Sequence, residues 1–284
     1  MKLWIPGANG LVGKALLKET DAIGTGHLDV DISDRSAVWS FVQRNEITHI
    51  INCAAYSLVD LSETHRKEAF MANAVGPENL AWAAKKAGAQ SVHISTDYVF
   101  AGDGKAPLKE TDPVGPLSYY GLTKLEGEQR VLEMLPSATI VRTSWVFGEG
   151  GKNFVAKMMQ LLREQKEIRL TCDQWGRPTY APDLAKVLLQ MFGRPGIYHF
   201  ANAGVATKYT FGLAMKEEAL RLGIPADAQL IAAAGSSFPS PCKRPVYSAF
   251  DTAKIEQALQ SKPRPWQTTL REFMEDYAAC PSPR

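Results

Sequence analysis

Long apolar runs are missing from this chain. No stretch approaches the roughly 20 consecutive apolar residues that cross a bilayer, so a membrane-spanning protein is not expected. Cysteine is scarce. Cys53, Cys172, Cys242 and Cys280 lie far apart with no CxxC pair, which indicates neither a disulfide framework nor a zinc site. An excess of one charge is absent too: 32 Lys and Arg stand against 30 Asp and Glu, a formal net charge of +2. That field is too weak to suggest nucleic acid or an anionic membrane as partner. Met1 and Lys2 lead straight into a strand-like segment with no secretory leader, and the expected location is the cytoplasm, with reduced thiols. Internal repeats and low-complexity tracts are also lacking.

What is present is a regular alternation. Short apolar runs at 3–6, 22–25, 49–53, 91–96 and 139–144 read as strands. Between them, 11–19, 35–44, 62–86 and 119–135 carry apolar residues at helical spacing. Alternation of this kind implies an α/β fold, and right-handed crossovers make it a Rossmann-type doubly wound parallel sheet. After about Gly148 the pattern is broken by Gly and Pro into shorter elements, which predicts a smaller C-terminal substrate lobe. The expected division is 1–150 for the dinucleotide-binding domain and 151–284 mainly for the lobe, with elements at about 180–202 returning to the sheet.

The first chemical signal is the run GANGLVG, a GxxGxxG with Gly7, Gly10 and Gly13, placed after a strand and opening a helix. Glycine lets backbone N–H groups approach a pyrophosphate, and the helix start adds unpaired donors; a packing turn is the competing reading. Asp31 and Ile32 follow the second strand, where a carboxylate and an aliphatic side chain could receive adenine, although Asp31 next to Ser33 and Asp34 equally suits a helix start. His27 is a further candidate for the adenosine side. The small residues after Asn52, Cys53 to Ala55 with Tyr56, end a strand where open α/β sheets admit ligands.

The reaction signal is the YxxxK of Tyr120 and Lys124, one helical turn apart on one face, combined with Ser95, Thr96 and Asp97 at the end of another strand. Reducing a ketone takes a hydride to carbon and a proton to oxygen. Tyrosine titrates near 10, and a neighbouring ammonium favours its phenolate, while a threonine hydroxyl can align the carbonyl. Individually these residues have packing or capping readings; together they form a proton-transfer set.

The chain resembles dTDP-4-dehydrorhamnose reductases, which are extended short-chain dehydrogenases. The resemblance runs through NCAAYSLVD, NAVGPENLA, HISTDYVFAGDG, SYYGLTKLEGE, RTSWVFGEGGKNF and DQWGRPTYAPDLA. It implies Tyr120 as proton donor, Lys124 as its partner and cofactor ligand, and Thr96 with Asp97 as the pair that positions the carbonyl. Trp145 would lie against the substrate. Gly10, Leu11 and Val12 would meet the pyrophosphate, Asp31 and Ile32 the adenine, and Ala55, Tyr56 and Ser57 the ribose side. The implied cofactor is NADPH or NADH and the implied partner a small sugar nucleotide, with room for a homodimer.

Some departures bear on the substrate. His27 stands where relatives carry a basic residue after the second strand, and Arg244-Pro245-Val246-Tyr247-Ser248 replaces an RPxNS segment. Some members use Mg²⁺, but no ligand set is visible here, and Glu217 and Glu218 read as helix-surface charges. Two rival readings remain: a reductase or epimerase of another nucleotide sugar, and a regulatory protein like the methionine adenosyltransferase β subunit, against which the intact Thr96, Tyr120 and Lys124 argue.

Overall fold

In a computed structural model that describes residues 1–150 and 153–279, the N-terminal apolar runs are strands of one sheet. They are β1 (Leu3–Pro6), β2 (Ile23–Thr25), β3 (His49–Asn52), β4 (Gln90–Thr96) and β5 (Thr139–Thr143). β6 (Val146–Phe147), β7 (Glu167–Thr171), β8 (Trp175–Gly176) and β9 (Thr179–Tyr180) follow, and β10 (Gly196–His199) rejoins the sheet beside β5. The order β10-β5-β4-β3-β1-β2 is parallel throughout. Central strands covered on both faces are shut away from water, and β1 and β5 are buried at every residue, the polar Arg142 of β5 among them.

Helices cover both faces. On one side α2 (Arg35–Arg44), α4 (Gly76–Ala87) and α5 (Tyr119–Met134) contribute Val38, Val42, Leu80, Ala84 and Val131 to a core over Trp4, Ile50 and Ile140. On the other, α1 (Leu11–Glu19) and α7 (Ala181–Gln190) pack Leu16, Leu184 and Leu188 over Leu3, Ile5 and Val141. Chain order reverses between β1 and β3, so a crevice opens at their carboxyl ends.

A second core lies beyond the sheet. It joins Val155, Met158 and Leu162 of α6 (Phe154–Glu164), Phe211 and Met215 of α8 (Lys208–Arg221), and Trp266, Leu270 and Phe273 of α10 (Trp266–Ala279). β7 pairs in parallel with β12 (Gln229–Ala233), and β8 with β11 (Ala206–Thr207) in antiparallel. Residues 242–251 then run back toward the sheet: Tyr247 N donates to Gly102 O at 2.8 Å, and Arg244 meets both Asp60 oxygens at 3.1 Å.

Two expectations need correction. The helix read over 62–86 is divided into a 3₁₀ turn at Asp60–Glu63, α3 (Arg66–Phe70), a π-helical turn at Met71–Val75, and α4. The π turn accompanies an inward-facing Asn73, whose amide clamps the loop after β3. Glu218 is not a surface charge: it is buried and accepts from Arg221 Nε at 2.6 Å and Arg271 Nε at 3.1 Å. No described helix is long and apolar enough to cross a membrane. Cys280 and the last four residues lie outside the described residues.

Candidate active site

The glycine-rich loop is forced into place by contact. Gly7 has φ +79°, and a Cβ there would stand 2.4 Å from Ala54 N, so only glycine lets this turn press on the end of β3. Gly7 and Ala8 N–H both bond to Thr25 O, which pins the loop to β2 as well. Gly10 caps α1 without a side chain, leaving the N–H groups of Leu11, Val12 and Gly13 without intrahelical acceptors. This is a cradle that suits a pyrophosphate.

The adenine-side candidates divide. Asp31 Oδ1 is engaged locally, accepting from Ser33 N at 2.9 Å and Ser33 Oγ at 2.8 Å, while Asp34 is the residue that caps α2. Ile32 is buried against α4, where a Cβ on Gly76 would fall 2.4 Å from its Cδ1. His27 is exposed, its Nδ1 3.8 Å from Asp31.

Across the crevice, Ala55 and Ser57 are exposed and Tyr56 is half-buried. Asn73 Oδ1 accepts from Tyr56 N at 2.8 Å, and its Nδ2 donates to Tyr56 O and to Thr123 Oγ1, each at 3.1 Å. One buried amide thus fixes the β3 loop and ties it to α5. Nothing in the composition or spacing singled out Asn73 for this role.

Ser118 caps α5 by accepting from Gly121 N at 3.1 Å. A Cβ on Gly121 would lie 2.2 Å from Tyr98 O, so its absence lets the helix start rest on the turn after β4. That contact brings Tyr120 beside Thr96, with the Tyr98 and Tyr120 rings edge to face at 5.6 Å. Burial pushes the Tyr120 phenol up to about 12, and the Thr96 hydroxyl pulls the other way. Thr96 Oγ1 donates to Asp97 Oδ1 at 3.1 Å. Asp97 Oδ2 is buried and, among the described residues, has no hydrogen-bond partner of normal geometry, although the Ser248 hydroxyl is near enough to pull the carboxyl's pKa down. Burial lifts this carboxyl to about 6.

One turn along α5, Lys124 Nζ donates to Ile94 O at 2.6 Å, and burial draws the amine down to about 8 against the pull of Glu128. Beneath it runs a polar string. Ala54 N donates to Asn52 Oδ1 at 3.0 Å, which turns Asn52 Nδ2 onto His93 Nδ1, also at 3.0 Å. His93 Nδ1 must accept, so the proton of the neutral imidazole sits on Nε2, 3.5 Å from Lys124 Nζ. Burial, reinforced by Lys124, holds His93 well below the usual histidine range.

Trp145 follows β5, whose Thr143 is in register with Thr96. Its φ is +46°, a costly conformation for a bulky residue, and Thr179 N bonds to its carbonyl at 3.2 Å. Lys208 Nζ lies 3.5 Å from the centre of the Trp145 ring. Lys208 escaped the sequence reading because it occupies no recognisable motif. Among the described residues, no three or more His, Cys, Asp or Glu side chains gather as a metal site.

Residues 1–279 match the family described as RmlD substrate binding domain. The chain belongs to this family. It is 40% identical to the dTDP-4-dehydrorhamnose reductase of Mycolicibacterium smegmatis, over 95% of this chain and 84% of that protein. It is 35% identical to a probable dTDP-4,6-dihydroxy-2-methyloxan-3-one 4-ketoreductase of Streptomyces antibioticus, over 100% and 98%. The crystal structure of the Bacillus anthracis dTDP-4-dehydrorhamnose reductase in complex with NADP superimposes with a TM-score of 0.92 at 34% identity, covering 97% of this chain and all of that one. The Rossmann-type α/β fold expected from the sequence is the fold of these reductases.

Proposed function

We propose that this protein reduces the C4 ketone of dTDP-4-dehydro-L-rhamnose to dTDP-L-rhamnose with NADPH or NADH, in the cytoplasm. The observation that carries the reading is the meeting of Thr96, Tyr120 and Lys124 at the carboxyl end of β4, in a chain whose relatives include reductases of that name. The glycine cradle, the free N–H groups of α1 and the clamped β3 loop fit a dinucleotide. Gly7, Gly10, Leu11, Val12 and Gly13 would hold its pyrophosphate, Ala55, Tyr56, Ser57 and Lys124 its ribose side, and Asp31 with Ile32 its adenine end. A bound nicotinamide supplies the hydride.

The chain's own residues do the rest. A phenol held up to about 12 keeps its proton at neutral pH, the state that a donor to the ketone oxygen needs. Thr96 offers its hydroxyl to the same oxygen and so fixes the carbonyl beside Tyr120. Lys124, when charged, opposes the negative charge left on Tyr120. Asp97 and Trp145 would bound the sugar's space, with Lys208 at the start of α8 lying against the Trp145 ring. Binding energy from the nucleotide half serves to hold the ketone at hydride-transfer distance.

The likeness to the Streptomyces 4-ketoreductase favours a second reading, in which the same chemistry acts on another dTDP-linked ketosugar. Loss of absorbance at 340 nm with NADPH or NADH and each ketone tests both. Tyr120→Phe should reduce turnover by about 100-fold or more, the scale of a lost general acid, with NADPH binding kept. A variant retaining most of its turnover refutes the role of Tyr120.

A further inference from the structure

Two groups of opposite charge face the candidate site without satisfying each other. Asp97 is 2% exposed, and among the described residues its Oδ2 has no hydrogen-bond partner of normal geometry, the Ser248 hydroxyl acting on the carboxyl only from a looser approach. Lys208, the first residue of α8, has its amine 3.5 Å from the centre of the Trp145 ring and 4.6 Å from that of Phe154. Among the described residues it makes no hydrogen bond or ion pair, and it does not come within 4 Å of Asp97. A buried carboxylate oxygen and an amine held only by ring faces are each costly unless a polar ligand completes them. The register places them together: Asp97 follows Thr96, Thr96 is paired with Thr143, and Trp145 is two residues further on.

The platform beneath the amine is built. Trp145 is held in a left-handed backbone conformation, and Gly176 leaves room for it: a Cβ there would lie 2.6 Å from Trp145 Cε2. β8, which carries Gly176, pairs with β11 immediately before Lys208, with Thr207 opposite Trp175. The Thr207–Thr210 capping box then sets the first turn of α8. Glycine and lysine are therefore positioned by a single small sheet, against which the indole ring is seated, and Lys208 is presented to the site by secondary structure instead of a free loop.

Resting on the reductase reading, we infer that Lys208 is a specificity residue: its amine donates to a hydroxyl of the hexose ring while Asp97 Oδ2 accepts from a hydroxyl of the same ring. A hydroxyl both accepts and donates, so a polyhydroxylated sugar can complete both groups, whereas a phosphate could satisfy only the lysine and would meet Asp97 as a like charge. The inference therefore concerns the sugar and not the diphosphate.

The test is calorimetric titration of the NADP⁺-loaded protein with dTDP-L-rhamnose and, separately, with dTDP. Lys208→Met should weaken dTDP-L-rhamnose by roughly 10- to 100-fold, the scale of a lost charge-assisted hydrogen bond, and leave dTDP unchanged. Lys208→Arg should recover part of the loss, which a purely structural role would not predict; an unchanged NADP⁺ affinity confirms that each variant is folded. Equal weakening of both ligands overturns the inference by assigning Lys208 to the diphosphate, and no weakening of either overturns it outright. If the parent chain binds neither ligand, the reductase reading fails and the inference with it.

Discussion

Glu128 and Arg142 belong to the stretches that carry the family resemblance, yet they meet each other and not a ligand. Arg142 Nε donates to Glu128 Oε1 at 2.8 Å and Nη2 to Oε2 at 2.7 Å, with side-chain exposures of 3% and 2%. Arg142 Nη1 continues to His199 Nε2 at 3.4 Å, and His199 Nδ1 donates to Leu108 O at 3.0 Å. The string crosses from α5 through β5 to β10. Replacing Glu128 by Ala leaves a guanidinium buried without its carboxylate, a loss of about 3–5 kcal/mol. At roughly 2–4 °C per kcal/mol for a chain of this size, Tm should fall by about 6–20 °C. Exchanging both partners, Glu128→Leu with Arg142→Met, removes the uncompensated charge and should recover most of that loss. Thermal and urea unfolding of the parent, Glu128→Leu, Arg142→Met and the double variant give the coupling energy directly. A Glu128→Ala variant within about 1 kcal/mol of the parent, or a double variant as unstable as the sum of the singles, would refute the argument. Glu128 also holds the Lys124 amine up, so any activity left in Glu128→Gln should lose its alkaline limb at lower pH than the parent.

Further outcomes follow from the same geometry. Asp97 has its folded-state pKa raised from 3.8 to about 6, so the folded chain binds the extra proton and its contribution to stability falls as pH rises through that window. Asp97→Asn should therefore be more stable than the parent near neutral pH, by up to about 3 kcal/mol, with the gap closing toward about pH 4 and with weaker binding of the sugar nucleotide; melts at both pH values check the sign. Asn73→Ala strands the Tyr56 backbone groups at a cost of about 1–3 kcal/mol, and should raise the KM for NADPH. Gly7→Ala strains a φ of +79° and drives a Cβ into Ala54. Its NADPH affinity, read by fluorescence titration, should fall by at least about 10-fold.

The local code was strong wherever the sheet is buried on both faces. Such strands carry a short apolar centre and small or polar residues toward their carboxyl ends, so β1, β3, β4 and β5 and the positions of Gly7, Thr96 and Tyr120 could be read directly. YxxxK spacing alone puts Tyr120 and Lys124 on one face of α5, because helical geometry determines that face. By itself the sequence therefore determined the fold class and the shared helix face of Tyr120 and Lys124. The tertiary structure decided what depends on partners distant in the chain. It turned Asn73 inward through a π turn, joined Glu128 to Arg142, buried Glu218 between two arginines, and brought Lys208 over Trp145 beside an unsatisfied Asp97. Each of these is a polar residue whose meaning comes from what it touches, and periodicity records only which face is apolar.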